Sequence, residues 1–232
     1  MTEAAELAVS EVFGPTIQGE GPSAGQRAGF VRLGRCNLDC VWCDTPYTWD
    51  WDRFDPAVEV SKTAVPDVVA RLEGMDPGRV VVTGGEPLLQ QRALIPLLEA
   101  CAQRGWPVEV ETNGTIAPEP RVADLVERFN VSPKTTNSGV TEDKRLKPHA
   151  LKALVSTEKA VFKFVARDEA DLEEIAALVE QHDLRPTWVM PEGTDAAVVT
   201  ERMRTLADPV LKRGWHLTPR LHILLWGDER GR

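Results

Sequence analysis

Short apolar runs alternate along the chain with longer segments whose apolar residues recur at helical spacing. The short runs predict strands at residues 28–33, 79–83, 108–112, 129–132, 160–165, 187–190 and 221–225. The longer segments predict helices at residues 63–73, 88–104, 119–127, 168–182 and 194–213. Such an alternation is typical of parallel strands joined by helical crossovers.

Polar or glycine-rich segments follow most of the predicted strands, at residues 36–43, 84–87, 113–114, 133–134 and 191–193. In β/α barrels the active site is built from loops at the carboxyl ends of the strands, so we expect one end of the sheet to carry the function. The strand count falls short of a closed barrel. The pattern therefore predicts an α/β fold, a partial (open) β/α barrel with parallel strands and about six βα units. We expect residues 1–232 to form a single domain with a cysteine loop at residues 36–43.

Composition and charge narrow the function classes. The chain has 232 residues, enough for one large domain, and 42% of them are hydrophobic, which is ordinary for a globular protein. Its formal net charge of −9 argues against a nucleic-acid partner, which requires a basic face. No apolar run approaches the roughly 20 residues that span a bilayer, and the first residues lack the basic start and apolar core of a signal peptide. We therefore expect a cytoplasmic protein with no membrane or nucleic-acid partner.

Three of the four cysteines, Cys36, Cys40 and Cys43, lie within eight residues in a Cys-x3-Cys-x2-Cys pattern. Clustered cysteines in a reducing compartment indicate metal or redox chemistry rather than disulfides. Three thiolates can bind three irons of a [4Fe–4S] cluster. The fourth iron then remains open to a small molecule, which suits chelation by the amino and carboxylate groups of S-adenosylmethionine.

The cysteine loop has two other interpretations. A structural zinc site, which would make the chain a zinc-stabilised binding module rather than an enzyme, needs four ligands. Cys101 lies in a predicted helix among apolar residues, and His149 is distant in the sequence. A thioredoxin-like pair of Cys40 and Cys43 leaves Cys36 without a role. The cluster is the preferred interpretation.

Motifs beyond the cysteines carry a family resemblance from about residue 11 to residue 226. They are TIQGEG at 16–21, FVRL at 30–33, CDT at 43–45, TGGEP at 83–87, ETNG at 111–114 and SPK at 132–134. Together with the cysteine spacing, they resemble the 7-carboxy-7-deazaguanine synthases of the radical S-adenosylmethionine (radical SAM) superfamily. Radical activases, which share the cysteine spacing and act on a partner protein, are the nearest alternative.

The resemblance implies a lyase. The family converts 6-carboxy-5,6,7,8-tetrahydropterin to 7-carboxy-7-deazaguanine with loss of ammonia, in 7-deazapurine (queuosine-type) biosynthesis. The implied cofactors are a [4Fe–4S] cluster, S-adenosylmethionine, which is regenerated in each turnover, and Mg²⁺. The implied partners are the small-molecule pterin substrate, an electron donor of flavodoxin or ferredoxin type, and a second copy of the chain in a homodimer.

The resemblance also implies residue roles, with no catalytic residue expected beyond the cluster and cofactor. Cys36, Cys40 and Cys43 would hold the cluster, and Thr45 would bind Mg²⁺. The residues expected to bind S-adenosylmethionine are Gly84, Gly85, Glu86, Glu111, Asn113, Ser132 and Lys134. The residues expected to bind the pterin are Gln18, Gly19, Glu20, Arg32, Thr83 and His222.

Several of these roles have structural alternatives. The guanidinium of Arg32 suits a substrate carboxylate, and the Glu20 carboxylate suits the amino and ring N–H groups of a pterin. The alternatives are a salt bridge between Glu20 and Arg32, a core histidine at His222 and an ordinary turn hydroxyl at Thr45.

Two further segments have no assigned role. Residues 137–149 are polar and suggest a mobile loop or lid. Some relatives end in a residue that contacts the substrate, whereas this chain continues through residues 226–232, so we do not expect that contact here.

Overall fold

A nine-stranded sheet organises residues 5–232, the part of the chain that the computed structural model describes. Its strands are β1 (Glu6–Ile17), β2 (Arg27–Leu33), β3 (Ser61–Ala64), β4 (Val80–Gly84), β5 (Val108–Thr112), β6 (Arg128–Val131), β7 (Ala160–Ala166), β8 (Thr187–Pro191) and β9 (His216–Leu217). The strand order is β3-β1-β2-β4-β5-β6-β7-β8-β9. All neighbours from β2 to β9 pair in parallel, whereas β1 runs antiparallel to both β2 and β3.

Helices connect the parallel strands and cover one face of the sheet. They are α1 (Pro56–Glu59), α2 (Val65–Glu73), α3 (Gln91–Gln103), α4 (Pro120–Leu125), α5 (Glu142–Arg145), α6 (Pro148–Val155), α7 (Glu169–His182), α8 (Ala196–Lys212) and α9 (Leu221–Trp226). Within residues 5–232 the edge strands β3 and β9 do not pair with each other, so the sheet stays open. The predicted open β/α barrel is confirmed. Its strands are not all parallel. β1 and β3, which the sequence did not predict, form the antiparallel pairs. None of these helices is long and apolar enough to cross a membrane.

Alternation along the strands separates the apolar core from a polar interior. On β4, Val80 and Val82 pack in the large core between sheet and helices, whereas Val81 joins a second, small cluster inside the curved sheet. The same period of two places Val108 and Val110 of β5 in the core. The glutamates of the VEVET segment therefore face the interior of the barrel. Cys101 of α3 is fully buried in the large core, as the sequence predicted.

The lower part of the interior holds a buried carboxylate, Glu109 of β5. It accepts hydrogen bonds from Arg79 at 2.6 Å, from Arg128 at 2.8 Å and from the amide of Asn130 at 3.0 Å. A buried charge is tolerated when it is paired and its lone pairs are used. This cluster closes the amino-terminal end of the barrel and forms the floor beneath the site.

The strand prediction at residues 221–225 is wrong, because this run forms helix α9. A short apolar run does not distinguish a strand from a buried helix by its periodicity. The edge position beside β8 is taken instead by His216–Leu217. The other boundaries shift by a few residues. Residues 61–64, for example, pair with β1 before α2 begins at Val65.

Residues 137–149, for which the sequence suggested a mobile loop or lid, contain short helical elements that pack against the rest of the site. They contain the end of a 3-10 turn (Thr136–Ser138), helix α5 and the start of α6. The amide of Asn137 donates to the Val165 carbonyl at 3.1 Å and to Asp171 at 2.9 Å. These bonds hold the segment against β7 and α7.

Candidate functional site

A cavity of about 660 Å³ opens at the carboxyl ends of the parallel strands. Residues that follow β2, β4, β5, β6, β8 and β9 line it, and residues 17–20 at the end of β1 close one side. Every residue that the sequence predicted for the site lines this cavity except Glu86. The topology therefore brings together segments that are up to about two hundred residues apart in the chain.

The cysteine loop forms one wall of the cavity. Cys36, Cys40 and Cys43 are all partly buried and all line it. Two N–H groups point at the sulfurs: the backbone N–H of Leu38 donates to the Cys36 Sγ at 3.4 Å, and the Trp49 indole donates to the Cys43 Sγ at 3.3 Å. Hydrogen bonds to cluster sulfurs are one of the ways in which a protein sets a reduction potential.

The donor set fits a cluster better than the two alternatives. Within residues 5–232 no three His, Cys, Asp or Glu side chains converge as they would around a single metal ion. Cys101 is buried in the core, away from the cavity. Burial raises the pKa of the Cys36 thiol to about 12 and also raises the pKa of the Cys40 thiol. Such thiols are poor redox nucleophiles, but bound iron would deprotonate them as ligands.

Gly84 and Gly85 permit close contact between two segments of the backbone. A Cβ at Gly84 would lie 2.1 Å from the Leu33 carbonyl oxygen, and a Cβ at Gly85 would lie 2.0 Å from that of Arg35. The Gly85 N–H donates to the Leu33 carbonyl at 3.0 Å. The missing side chains thus allow the end of β4 to pack against the start of the cysteine loop, and both glycines still line the cavity.

Glu86 lies beneath the cavity and is fully buried. Its carboxylate accepts hydrogen bonds from the Leu88 N–H at 2.9 Å, the Thr112 hydroxyl at 2.8 Å and the Asn113 N–H at 2.7 Å. Burial raises its pKa despite these bonds. The structure therefore places Glu86 where it ties the end of β5 to the turn after β4.

The ETNG segment divides between two neighbours. The Asn113 amide donates to Asn37 of the cysteine loop at 2.9 Å. Glu111 accepts from Thr83 at 2.6 Å and from Gln18 at 3.2 Å, and the Lys163 Nζ lies 3.8 Å from it. Asn113 is therefore on the cysteine-loop side of the cavity, and Glu111 is on the side of Gln18.

Ser132 and Lys134 follow β6 and line the cavity. The Lys134 ammonium donates to Ser132 at 2.9 Å and lies 5.2 Å from the centre of the Trp42 ring. The Trp42 indole donates to the Asn137 carbonyl at 3.0 Å. The loop after β6 thus holds the aromatic residue that stands between two of the cysteines.

Thr45 lines the cavity directly after the cysteine loop. Its hydroxyl lies 3.7 Å from the Cys43 sulfur, and its carbonyl accepts from the Thr48 hydroxyl at 2.8 Å. Thr45 therefore has a turn role through its backbone while its hydroxyl faces the cavity.

Glu20 pairs with two cations. Its carboxylate accepts a short hydrogen bond from Lys163, and the Arg220 Nε donates to it at 3.2 Å. Burial alone would raise the pKa of the Glu20 carboxyl, but Lys163 and Arg220 hold that pKa well below its usual range. Glu20 is therefore ionised. The alternative prediction of a salt bridge between Glu20 and Arg32 is wrong. Arg32 donates instead to the Glu11 carboxylate at 2.9 Å.

His222 and Gly19 are in contact. A Cβ at residue 19 would lie 2.0 Å from the His222 Nδ1, and the Leu221 N–H donates to the Gly19 carbonyl at 2.9 Å. His222 lines the cavity and is partly exposed. Burial lowers its pKa, so the imidazole is neutral at pH 7. The alternative of a core histidine does not describe this position.

Known proteins match the chain over its length. A family model described as the Radical SAM superfamily matches residues 31–161. The 7-carboxy-7-deazaguanine synthase of Pyrobaculum aerophilum is 38% identical, with 100% of both chains covered. The protein of the same name from Halobacterium salinarum is 34% identical and covers 96% of this chain and 91% of its own. The crystal structure of QueE from Escherichia coli superposes with a TM-score of 0.70 at 26% identity, covering 94% of this chain and 95% of that one.

The chain belongs to the 7-carboxy-7-deazaguanine synthase family. Its membership of the radical SAM superfamily follows from the match that includes the cysteine loop. The fold alone extends further, to Streptococcus suis SuiB bound to its precursor peptide, with a TM-score of 0.57 at 14% identity.

Among the residues that line the cavity of this 7-carboxy-7-deazaguanine synthase family member, several received no predicted role, including Asp44, Trp49, Lys163 and Arg220. Lys163 had a signal, since it is the single charge within the apolar run AVFKFV. Arg220 had none, because its partners Glu20 and Asp44 are near it only in the folded chain.

The segment after α9 also reaches the site in this family member. Residues 227–232 line the mouth of the cavity. Arg230 pairs with Glu11 and with Glu59, the latter at 2.8 Å, and lies 3.9 Å from the centre of the Tyr47 ring. The continuation past Trp226 therefore stays at the cavity, whereas the absence of a substrate contact from this segment stays a prediction.

Proposed function

We propose that this protein converts 6-carboxy-5,6,7,8-tetrahydropterin to 7-carboxy-7-deazaguanine with loss of ammonia, as a radical SAM lyase. The observation that carries the proposal is the full-length similarity at 38% identity to a 7-carboxy-7-deazaguanine synthase. The cavity supports it, because a three-cysteine loop and a set of buried charges face each other across one space. The biosynthetic context is that of queuosine-type 7-deazapurines.

Cys36, Cys40 and Cys43 would hold a [4Fe–4S] cluster. When bound, the cluster supplies the electron that cleaves S-adenosylmethionine to give a carbon radical. The chain's own contribution is to orient both groups. Trp49 and the Leu38 N–H support the thiolates, and the Gly84–Gly85 turn fixes the cysteine loop against β4.

The residues proposed to bind S-adenosylmethionine lie around the cysteine loop. Asn113, Ser132 and Lys134 offer polar groups to its ribose and carboxylate on the cluster side of the cavity. Gly84 and Gly85 present backbone there, and Glu86 acts from below by fixing the Asn113 N–H. Glu111 accepts a hydrogen bond from Gln18, which is proposed to bind the pterin. Glu111 can therefore contact either S-adenosylmethionine or the pterin.

The pterin would lie between the cysteine loop and the charged side of the cavity. Ionised Glu20 accepts hydrogen bonds from the amino and ring N–H groups, and Gln18 adds a donor and an acceptor. Arg32 grips the carboxylate, and a neutral His222 donates to a ring oxygen. Gly19 leaves room for His222, and Thr83 positions Glu111 through its 2.6 Å hydrogen bond.

Magnesium is proposed to bind at Thr45. Mg²⁺ keeps several waters and takes few protein ligands, so one hydroxyl together with the substrate carboxylate suits it. Within the described part of the chain no three acidic, histidine or cysteine side chains gather into an all-protein site. That is consistent with a cation that binds together with the substrate.

Several further properties are inferred from the family. They are action in the cytoplasm, an electron donor of flavodoxin or ferredoxin type, and a homodimer. The clustered, unpaired cysteines are compatible with a reducing compartment. Sedimentation of the reconstituted protein would test the dimer.

The proposed function is tested by anaerobic turnover. Reconstituted protein, S-adenosylmethionine, Mg²⁺, a reductant and 6-carboxy-5,6,7,8-tetrahydropterin should yield 7-carboxy-7-deazaguanine and one ammonia per product. Omission of Mg²⁺ should lower the rate. The proposal is overturned if the protein cleaves S-adenosylmethionine but leaves the pterin unchanged, the behaviour expected of an activase that acts on a protein partner.

A further inference from the structure

Arg220 joins three segments that are distant in sequence. It is 5% exposed. Its Nε donates to Glu20 at 3.2 Å, one terminal nitrogen donates to the Gly193 carbonyl at 2.5 Å, and the other makes a short hydrogen bond to Asp44. The three partners belong to the loop after β1, the loop after β8 and the end of the cysteine loop.

We propose that Arg220 is a positioning residue for the reaction, which fixes the pterin-facing carboxylate of Glu20 and the cysteine-loop carboxylate of Asp44 in one geometry. The inference rests on the proposed function, since it assumes that Glu20 contacts the pterin. Arg220 acts through these two carboxylates. Each of its three nitrogens already donates to one of Glu20, Asp44 and Gly193, so we assign it to positioning rather than to substrate contact.

The guanidinium suits this role because of its shape. Its donors form a rigid planar fork, so each partner is held in a fixed direction relative to the other two. A lysine at the same place would keep the charge but not the three directions. Burial strengthens the constraint, since little water is present to replace a lost hydrogen bond.

Arg220 provides the second of two contacts that fix the orientation of the Glu20 carboxylate. One carboxylate oxygen bonds to Lys163 and the other to Arg220, so the carboxylate plane is fixed by two cations from β7 and from the turn before α9. Without Arg220, Glu20 keeps a single tether and can rotate about it. The lone pairs that would meet the pterin then lose their fixed direction.

The ion pair with Asp44 connects Arg220 to the end of the cysteine loop. Asp44 lies between Cys43 and Thr45, so its orientation affects the residues on both sides of it. Arg220 binds this carboxylate directly. One side chain therefore links the end of the cysteine loop, which would hold the cluster, to Glu20, which would face the pterin. Such a link would matter because reacting groups must be held in a near-attack geometry.

The experiment compares Arg220→Gln and Arg220→Lys with wild type in reconstituted, cluster-containing protein. The readouts are iron content, S-adenosylmethionine affinity and pterin affinity by equilibrium titration. Arg202→Gln is the matched control, because Arg202 also donates to a carbonyl and a carboxylate of the loop after β8, both on Glu192, but contacts neither Glu20 nor Asp44.

We expect Arg220→Gln to weaken pterin affinity by about tenfold or more, because the buried Glu20 carboxylate would be held by Lys163 alone. Arg220→Lys should lie between Arg220→Gln and wild type. Iron content and S-adenosylmethionine affinity should stay within about twofold of wild type in both variants, and Arg202→Gln should match wild type throughout. Wild-type pterin affinity in Arg220→Gln overturns the inference.

A double-mutant cycle tests whether Arg220 acts through Glu20. In the Glu20→Gln background, Arg220→Gln should change pterin affinity by less than about twofold, because coupled residues are not additive. Full additivity overturns the inference, since Arg220 would then act independently of Glu20.

The remaining outcomes separate the two proposals. If wild type itself does not bind the pterin, the proposed function fails and this inference falls with it. If only Arg220→Gln loses iron, Arg220→Lys decides: weakened pterin affinity with full iron content supports the inference, and wild-type affinity overturns it. Loss of iron in both variants also overturns it, because Arg220 would then be needed for the fold rather than for the site.

Discussion

At the scale of single residues, the site is governed by how burial changes the charge of each group. Burial raises the pKa of the Cys36 and Cys40 thiols, and two cations keep Glu20 ionised against the same effect. His222 is held neutral. Each residue type is suited to its chemistry, but its protonation state depends on its neighbours.

The cysteine assignment predicts a sharp contrast between two substitutions. Cys40→Ala should abolish the iron–sulfur absorbance and turnover, because one of the three thiolates is lost. Cys101→Ala removes a buried core atom and should lower the free energy of unfolding by about 1 kcal/mol with no effect on iron content. Iron assay and thermal melting measure both effects. Full iron content in the Cys40→Ala protein would contradict the assignment.

His222 predicts a pH dependence of stability. Its pKa lies below 6.5 in the folded protein, so the unfolded chain takes up a proton first as the pH falls. The contribution of His222 to the free energy of unfolding is therefore fully present above about pH 6.5. It is lost as the pH falls through the pKa of His222 in the folded protein. Wild type should lose more thermal stability between pH 7.5 and 5.5 than His222→Asn, both with intact clusters. Equal losses would show that His222 titrates normally.

At the scale of elements, the site depends on how closely neighbouring segments approach. Gly85 lets the turn after β4 contact the chain that enters the cysteine loop, and Gly19 leaves space for His222 from α9. The segment after α9 returns to the mouth of the cavity and is tied there by Arg230.

Gly85→Ala should disrupt the cysteine loop. The new Cβ would meet the Arg35 carbonyl oxygen at 2.0 Å, which is backbone and has little freedom to move. We expect a loss of roughly 1–3 kcal/mol in the free energy of unfolding, together with reduced iron content. Gly74→Ala is the control, since its Cβ would make only an ordinary contact of 3.5 Å. A Gly85→Ala protein with wild-type stability and iron content would refute the close packing.

Arg230→Ala should loosen the cover of the cavity. Exposed ion pairs contribute up to about 1 kcal/mol, so pterin dissociation should accelerate roughly two- to fivefold. Stopped-flow displacement measures this rate. Arg92→Ala, which breaks an exposed pair with Glu119 away from the cavity, should leave it unchanged. An unchanged rate in Arg230→Ala would mean that the tail does not retain the substrate.

At the scale of the whole molecule, the open barrel collects loops from six parallel strands at one end and supports them with the buried Glu109 cluster. The helices and large core lie outside, so the interior is left free for polar chemistry. The molecule thus separates the residues that stabilise it from those that face the cavity.

The intact enzyme should regenerate S-adenosylmethionine, as the resemblance implies. Product formed with limiting S-adenosylmethionine and excess pterin should exceed the amount of S-adenosylmethionine supplied. Chromatographic quantification of product and 5′-deoxyadenosine gives the ratio. A strict one-to-one yield of the two would show that S-adenosylmethionine is consumed instead.

The sequence by itself determined the properties that depend on local order. Hydrophobic periodicity located six of the nine strands and most of the helices. The spacing of three cysteines identified the loop that lies within the radical SAM match, and short motifs after the strands predicted where the cavity would be. These inferences succeed because residue spacing and local propensity are properties of neighbouring residues.

Tertiary structure alone decided which charges meet. The sequence does not reveal that Glu20 pairs with Lys163 and Arg220 rather than with Arg32, because these partners are brought together only by the curvature of the sheet. It also does not distinguish a helix from a strand at residues 221–226, since a short apolar run is compatible with both until β9 occupies the sheet edge. The contacts that tune the site join residues 143 to 200 positions apart, and such contacts leave no local pattern in the chain.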